Sequence, residues 1–259
     1  MRLEWISLLL TLVVTTQVAA QTSQAAASAP QATTLVAQSL AAMTHGTTVS
    51  DVTLSGNANW IVGGDHLSGP VTLKARGSGQ SRIDLNLTGL QRTEIRTVNN
   101  GIPAVGWIDG SGTHKGAEHN CYTEAASFFP ALWSLWNPSD ATLTATLLGS
   151  TTYNSVNAQH LQFLRQYAGD QLSSALSTTH VYVDPTSFLP LAITFKAHPD
   201  TDALRDVPVE IRFANYQNVT GVMVPFRIQK LLNGSLMLDI TIQSATINSG
   251  LSDPIFAIQ

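Results

Sequence analysis

Apolar and polar residues alternate over several segments of the chain, as they do in a strand with one buried face. In the first of these segments Val52, Leu54, Ala58 and Trp60 share one side, with mostly polar residues between them. Successive side chains of a strand point to opposite sides, so one face is apolar and the other is wet. The same alternation recurs at 71–76, 82–87, 142–147, 191–196, 209–213 and 236–243. It predicts antiparallel sheets with one solvated face.

Turn-forming residues separate these segments. They are Gly63-Gly64-Asp65, Gly77-Ser78-Gly79, Asn99-Asn100-Gly101 and Asn233-Gly234. Asn-Gly tolerates the positive φ angles of a type I′ turn, so Asn233-Gly234 predicts a tight hairpin. The sequence shows neither helical crossovers between parallel strands nor an internal repeat.

Two short segments are predicted to be helical. The first has apolar residues at helical spacing, namely Leu35, Val36, Leu40 and Met43. Thr33 or Thr34 is its expected cap, and His45-Gly46 its expected end. The second is predicted over 170–176.

A third apolar segment, residues 122–136, departs from the strand pattern, and we call it the aromatic segment. Its residues at i, i+3, i+7, i+10 and i+14 are Tyr122, Ala125, Phe129, Leu132 and Trp136. Pro130 interrupts this periodicity and Asn137-Pro138 ends it, which predicts a broken helix or a helical hairpin.

The apolar side chains of this segment have two interpretations. They could line or cover an apolar ligand cavity beside the sheet. They could instead plug the open face of the sheet as core, which is the commoner role of an aromatic stripe at helical spacing. The residues concerned are Phe128, Phe129, Leu132, Trp133 and Trp136.

The N-terminus has the order of a secretory signal peptide: Arg2, an apolar run over 6–14, and small residues before Gln21. A bilayer span needs about 20 apolar residues, so this run favours a cleaved leader over a membrane anchor. We expect a signal peptide at 1–20, a disordered linker at 21–32 and a single domain at 33–259. The mature chain would have no transmembrane helix and would act in the periplasm or outside the cell.

Composition narrows the function further. The chain of 259 residues has a formal net charge of −4, which gives no electrostatic footprint for nucleic acid. Cys121 is the only cysteine, so no disulfide can form within the chain. We expect a monomer. Asp51, Asp84 and Glu94 alternate with apolar residues and are expected on the solvated face.

One group of residues could carry metal chemistry. His114, Glu118, His119 and Cys121 lie close together in sequence and could hold zinc for a hydrolase. Their spacing matches no established metal motif, and a polar loop with a buried Cys121 is the alternative. The sequence contains no nucleophile elbow, phosphate-binding loop or zincin helix, so we predict no catalytic residue and no cofactor.

The order of elements resembles the LolA-like periplasmic lipoprotein carriers. The residues that carry the likeness are Tyr182-Val183-Asp184-Pro185, Leu189-Pro190-Leu191, Tyr216, Gly221, Pro225-Phe226-Arg227-Ile228 and Asp253-Pro254-Ile255-Phe256. The resemblance implies a mainly β, antiparallel and unclosed half-barrel, with an N-terminal helix and a helical insertion over its concave apolar face. In the carriers this cavity shelters the acyl chains of lipoproteins. A closed barrel or a two-sheet sandwich is the alternative fold.

These observations favour an exported, non-enzymatic module that binds or carries an apolar ligand. Its partner would be an apolar small molecule or a lipidated protein. An envelope interaction or sensor domain without transport is one alternative. A metal-dependent hydrolase using the His114–Cys121 group is the other.

Overall fold

The computed structural model describes residues 30–259, in which thirteen antiparallel strands form one continuous sheet. The strands are β1 (Asp51–Val62), β2 (Asp65–Arg76), β3 (Gln80–Leu87), β4 (Leu90–Asn99), β5 (Ile102–Asp109), β6 (Gly112–Lys115), β7 (Leu143–Tyr153), β8 (Val156–Arg165), β9 (Thr179–Val183), β10 (Pro190–Ala197), β11 (Val207–Val219), β12 (Val222–Leu232) and β13 (Ser235–Ile247). The helices are α1 (Pro30–Thr44) and α2 (Gln171–Leu176). Four short 3-10 helices cover Glu118–Cys121, Pro130–Leu132, Ser134–Trp136 and Asp253–Phe256.

The strand order is β6-β5-β4-β3-β2-β1-β13-β12-β11-β10-β9-β8-β7. Every neighbour is consecutive in sequence except β1 and β13, which join the two halves of the chain at the centre of the sheet. The edge strands β6 and β7 do not pair with each other. The predicted unclosed, antiparallel half-barrel is therefore confirmed, and neither a closed barrel nor a two-sheet sandwich forms.

The sheet curls strongly. Four strands lie between β4 and β12, yet Nζ of Lys230 on β12 is 3.9 Å from Oε2 of Glu94 on β4. Side chains from distant strands can meet in this way only across the concave side of the sheet. The connection from β6 to β7 joins the two edges, so the chain between them, residues 116–142, crosses this concave side.

The hairpin and helix predictions are largely correct. Asn233 and Gly234 have φ angles of 49° and 77° and join β12 to β13, as a type I′ turn requires. Helix α2 is capped by Asp170, whose side chain accepts a hydrogen bond from the Ser173 amide at 2.9 Å.

Helix α1 ends as predicted but begins earlier. His45 and Gly46 both have positive φ, which ends the helix. The predicted cap at Thr33 or Thr34 is wrong because the helix starts at Pro30. Proline is common in the first turn of a helix, where the backbone amides have no partner within the helix. The predicted leader at 1–20, and residues 21–29 of the predicted linker, lie outside the described residues. No helix within 30–259 is long and apolar enough to cross a membrane.

The aromatic segment is broken, as predicted, but its helical parts are short 3-10 turns. It contains the two short 3-10 helices at 130–132 and 134–136, joined by Trp133 in an extended conformation. Pro130 removes a helical amide, and all six residues from Phe128 to Trp133 are buried, whereas a helix with one apolar stripe would expose some of them. Indole groups satisfy the backbone instead: Trp133 donates to the carbonyl of Ala126 at 3.0 Å.

Candidate functional site

A cavity of about 520 Å³ lies on the concave side of the sheet, and we call it the main cavity. Strands β2 to β5 and β10 to β13 form its walls, and the connection between β6 and β7 covers it. Its volume is within the range of small-molecule sites, roughly 300–1,000 Å³. The apolar part of its wall includes Leu73, Ile83, Val209, Ile211, Ile228 and Ile240.

The aromatic segment separates the main cavity from a packed group of aromatic side chains and a second cavity. Phe128 lines the main cavity, whereas Phe129 is fully buried. Leu132, Trp133 and Trp136 instead border a second cavity of about 770 Å³ on the other side of the segment. The five residues predicted for the site therefore belong to one structural unit, but only Phe128 lines the main cavity.

The tryptophans of this unit are packed as core. Their rings are stacked with centroids 5.5 Å apart and an interplanar angle of 22°. Trp133 also contacts Phe213 on β11 at 5.6 Å, and Trp136 contacts Phe163 on β8 at 5.9 Å. Trp136 donates its indole N–H to the carbonyl of Pro130 at 2.7 Å. Both side chains are about 3% exposed, so they fix the segment against the far half of the sheet.

A cluster of three charged residues, Arg92, Glu94 and Lys230, lines the main cavity; we call it the charged cluster. Glu94 pairs with Ile83 in the sheet register, so both side chains are on the concave face. The Arg92 Nε atom donates to Oε1 of Glu94 at 3.0 Å, and Lys230 lies 3.9 Å from its other oxygen. Burial raises the pKa of Glu94, but the charges of Lys230 and Arg92 outweigh this and lower it overall.

Two indole rings hold Arg92 in place. Its guanidinium carbon is 5.1 Å from the ring centroid of Trp107 and 6.0 Å from that of Trp60, both within cation–π range. Nη1 of Arg92 is also 3.7 Å from Asp109. Hydrogen bonds from Ser111 and His114 lower the pKa of Asp109 to about 2, so this carboxylate stays ionised. Arg92 is therefore pre-positioned beside the cavity before any ligand arrives.

The loop between β10 and β11 closes one side of the main cavity. Asn120 exchanges two hydrogen bonds with the backbone of His198, at 2.9 and 3.0 Å. The Ala117 amide donates to Asp200 at 2.8 Å, which fixes the same loop. The His198 side chain is 3% exposed and neither ring nitrogen has a hydrogen-bond partner within residues 30–259. Burial lowers the pKa of His198, so it is neutral at neutral pH.

The structure does not assemble the zinc site considered for the hydrolase. His114 bonds Asp109 and Ser111 and stacks on Trp107, whereas His119 bonds the carbonyl of Pro199. Cys121 is buried, and burial raises the pKa of its thiol. Between residues 30 and 259, no group of three or more His, Cys, Asp or Glu side chains could hold a metal ion.

Sequence reasoning missed the charged cluster. Glu94 was expected on the solvated face, but it faces the main cavity and its side chain is 32% exposed. Asp51 was also expected to be solvated, but it is 3% exposed and bonded to Ser249 and Gly250. The charged residues of β4 face the same concave side as Ile83 of β3. The alternation of residues within β4 alone therefore could not show which of its faces is the concave one.

Comparison with solved structures identifies the architecture. A domain assigned to the outer membrane lipoprotein-sorting proteins of Vibrio parahaemolyticus superposes with a TM-score of 0.56 at 12% identity, covering 87% of this chain and 96% of that one. The fold is that of the LolA-like half-barrel. A LolA superfamily protein from Nitrosomonas europaea gives 0.52 at 13% identity, covering 87% and 97%. A DUF1329 family protein from Desulfovibrio piger gives 0.56 at 11% identity, covering 90% and 100%.

The likeness is one of fold. No family model and no curated protein matches the sequence. At 11–13% identity the three structures share the LolA-like half-barrel with this chain over most of its length, but they transfer no ligand. The chemistry of the main cavity must therefore be argued from its own residues.

Proposed function

We propose that this protein is an exported, non-enzymatic module of the cell envelope that binds or carries one apolar or amphiphilic ligand. The observation that carries this proposal is the main cavity, about 520 Å³ and largely apolar, on the concave side of the half-barrel. The leader-like order of residues 1–20 supports export. The lipoprotein-sorting assignment of a structural neighbour supports a lipid or a lipidated protein as cargo.

The aromatic segment is proposed to form one wall of the ligand site. Phe128 would touch the ligand, because it lines the main cavity. Phe129, Leu132, Trp133 and Trp136 would support it from behind as a rigid, packed unit. Their role as ligand-binding residues is thus direct for Phe128 and indirect for the other four.

A second candidate function is an envelope interaction or sensor domain that recognises a lipidated protein without transporting it. The packed aromatic side chains of the aromatic segment favour this candidate, because they occupy space that a carrier of several acyl chains would need. Retention of a bound lipid through purification, followed by its transfer to acceptor vesicles, would distinguish the carrier from the sensor.

Filling the main cavity tests the proposed function. Leu238 is half-buried on β13 and lines the cavity, so Leu238→Trp places an indole ring where a ligand would lie. Removing about 60 Å² of ligand contact costs about 1.5 kcal/mol at ~25 cal/mol/Å², so a fluorescent fatty-acyl probe should bind at least about tenfold more weakly.

The matched control is Thr241→Trp, on the same strand at an exposed position outside the cavity lining. It should bind the probe as the wild type does. Native mass spectrometry of delipidated protein mixed with lipid extract should show one bound lipid per chain. Failure of the wild type to bind the probe, or normal binding by a folded Leu238→Trp protein, would overturn the proposal.

A further inference from the structure

The hydrogen-bonding capacity of the main cavity is unevenly used. Six charged residues line it: Arg92, Arg96, Lys230, Glu94, Glu124 and Asp200. Each of the three carboxylates already accepts a hydrogen bond from the protein, at 3.0 Å for Glu94, 2.8 Å for Glu124 and 2.8 Å for Asp200. Charge-assisted hydrogen bonds to an acceptor atom of a ligand would come from the cations, so their unused donors matter most here.

Lys230 is the cation of the charged cluster whose donors are all unused. Its ammonium group is 3.9 Å from Glu94, which is ion-pair distance but beyond a hydrogen bond, and it donates no hydrogen bond within residues 30–259. An ammonium group has three donors. The side chain is about one-third exposed and lies on the concave wall between Ile211 and Leu238 in the register. An ammonium group in this position can donate hydrogen bonds to an acceptor atom of a ligand.

Arg92 adds a second cation beside Lys230. The two cations flank the carboxylate of Glu94, to which Arg92 donates a hydrogen bond and Lys230 does not. Asp109 lies beyond Arg92 at 3.7 Å and does not line the cavity. The charges of these four residues balance, so it is the free ammonium donors of Lys230 that favour an anionic ligand, to which they can donate charge-assisted hydrogen bonds.

Size limits the rest of the ligand. At about 30 Å³ per water molecule, 520 Å³ corresponds to roughly 17 water molecules, which suits one drug-sized molecule. The apolar wall of Ile83, Ile211 and Ile240 adjoins the charged cluster. A ligand would thus have its chain against the isoleucines and its polar end at Lys230.

We infer that the ligand is a single-chain amphiphile with an anionic head, a carboxylate or a phosphate, that binds Lys230 and Arg92 while its chain occupies the apolar part of the main cavity. This inference rests on the proposed function and specifies its ligand class. The volume of the main cavity, about 520 Å³, suits one chain of this kind.

Three ligands with the same chain test the inference: dodecanoate, dodecyl phosphate and dodecanol, each displacing an uncharged pyrene probe. Either anion should bind about tenfold more tightly than the alcohol, equivalent to about 1.4 kcal/mol. The preference should weaken as ionic strength rises, because the charges are partly exposed. The stronger of the two anions identifies the head group.

Variants of Lys230 test whether this residue causes the preference for the anions. Lys230→Met keeps the apolar stem and should remove most of the preference for the anions, with dodecanol binding unchanged. Lys230→Arg should keep the preference. The matched control is Lys196→Met, because Lys196 is 60% exposed and does not line the cavity. Thermal unfolding of each variant checks that it is folded.

The outcomes separate the two claims. Equal affinity for the anions and the alcohol, or an unchanged preference in a folded Lys230→Met protein, would overturn the anionic head and leave the apolar cavity standing. If none of the three ligands displaces the probe because the wild type does not bind the probe, the proposed function fails and the inference fails with it. A preference that Lys230→Met removes and Lys230→Arg retains supports both.

Discussion

Truncating Trp133 to alanine tests whether the aromatic segment is packed core or ligand wall. Trp133 is 3% exposed, stacks on Trp136 at 5.5 Å and contacts Phe213 at 5.6 Å. Truncation of a packed Trp costs about 3–5 kcal/mol. Loss of the indole hydrogen bond at 3.0 Å leaves the Ala126 carbonyl without this partner, which adds about 1 kcal/mol. The expected loss is therefore roughly 4–6 kcal/mol, a large share of a typical 5–15 kcal/mol.

Urea unfolding measures this loss. With an m value of about 2–3 kcal/mol/M, the midpoint of Trp133→Ala should fall by about 2 M. Leu204 is 79% exposed, so Leu204→Ala is the control and should change stability by less than about 0.5 kcal/mol. The folded Trp133→Ala protein should still bind the fatty-acyl probe within about threefold of the wild type, because Trp133 does not line the main cavity.

Phe128→Ala provides the contrast on the same segment. Phe128 lines the main cavity, so its removal should weaken probe binding and cost less stability than Trp133→Ala. The reasoning is refuted if Trp133→Ala costs less than about 2 kcal/mol and also weakens probe binding. Trp133 would then face the ligand, and the packing around Phe213 would be of little consequence.

Two further predictions concern the frame of the half-barrel. Gly234→Val forces a branched residue to a φ of 77° and should cost about 1–3 kcal/mol in thermal unfolding, whereas equal losses for Ser235→Val would place the strain elsewhere. Asp51 is buried, which raises its pKa, but hydrogen bonds from Ser249 and Gly250 outweigh burial and lower the pKa overall. Its stabilising contribution should therefore be present above about pH 4 and be lost as the pH falls further, and Asp51→Asn should cost roughly 2–3 kcal/mol at pH 7 and flatten this acid dependence. An unchanged acid profile in Asp51→Asn, with Asp65→Asn as the exposed-turn control, would contradict this assignment.

The strands and tight turns of this protein could be read from the sequence because they depend on local spacing. Alternating segments such as 52–60 and 236–243 became β1 and β13, and Asn233-Gly234 became the predicted turn. A period of two leaves one face apolar in any antiparallel sheet, whatever its neighbours. The order of elements resembles that of the LolA-like carriers, and this resemblance implied the half-barrel that the sheet forms.

The spacing of apolar residues did not predict the structure of a segment that is buried on more than one side. The aromatic segment has apolar residues at helical intervals, but Pro130 and the contacts with Phe163 and Phe213 on strands far along the chain hold it as short 3-10 helices. Its position follows from topology: it connects the two edge strands of an open sheet and must cross the concave side. Tertiary packing therefore overrides the helical period.

The candidate ligand site depended almost wholly on tertiary structure. Glu94 and Lys230 are 136 residues apart in the sequence. They meet only because the sheet curls until β4 and β12 face each other. Alternation shows that a strand has two different faces, but it does not show which one the curvature turns inward. The sequence alone therefore determined the strands and the turns, and it led to the hypothesis of an apolar ligand. The curvature of the sheet decided that charged side chains line the cavity, because only the folded chain brings them together.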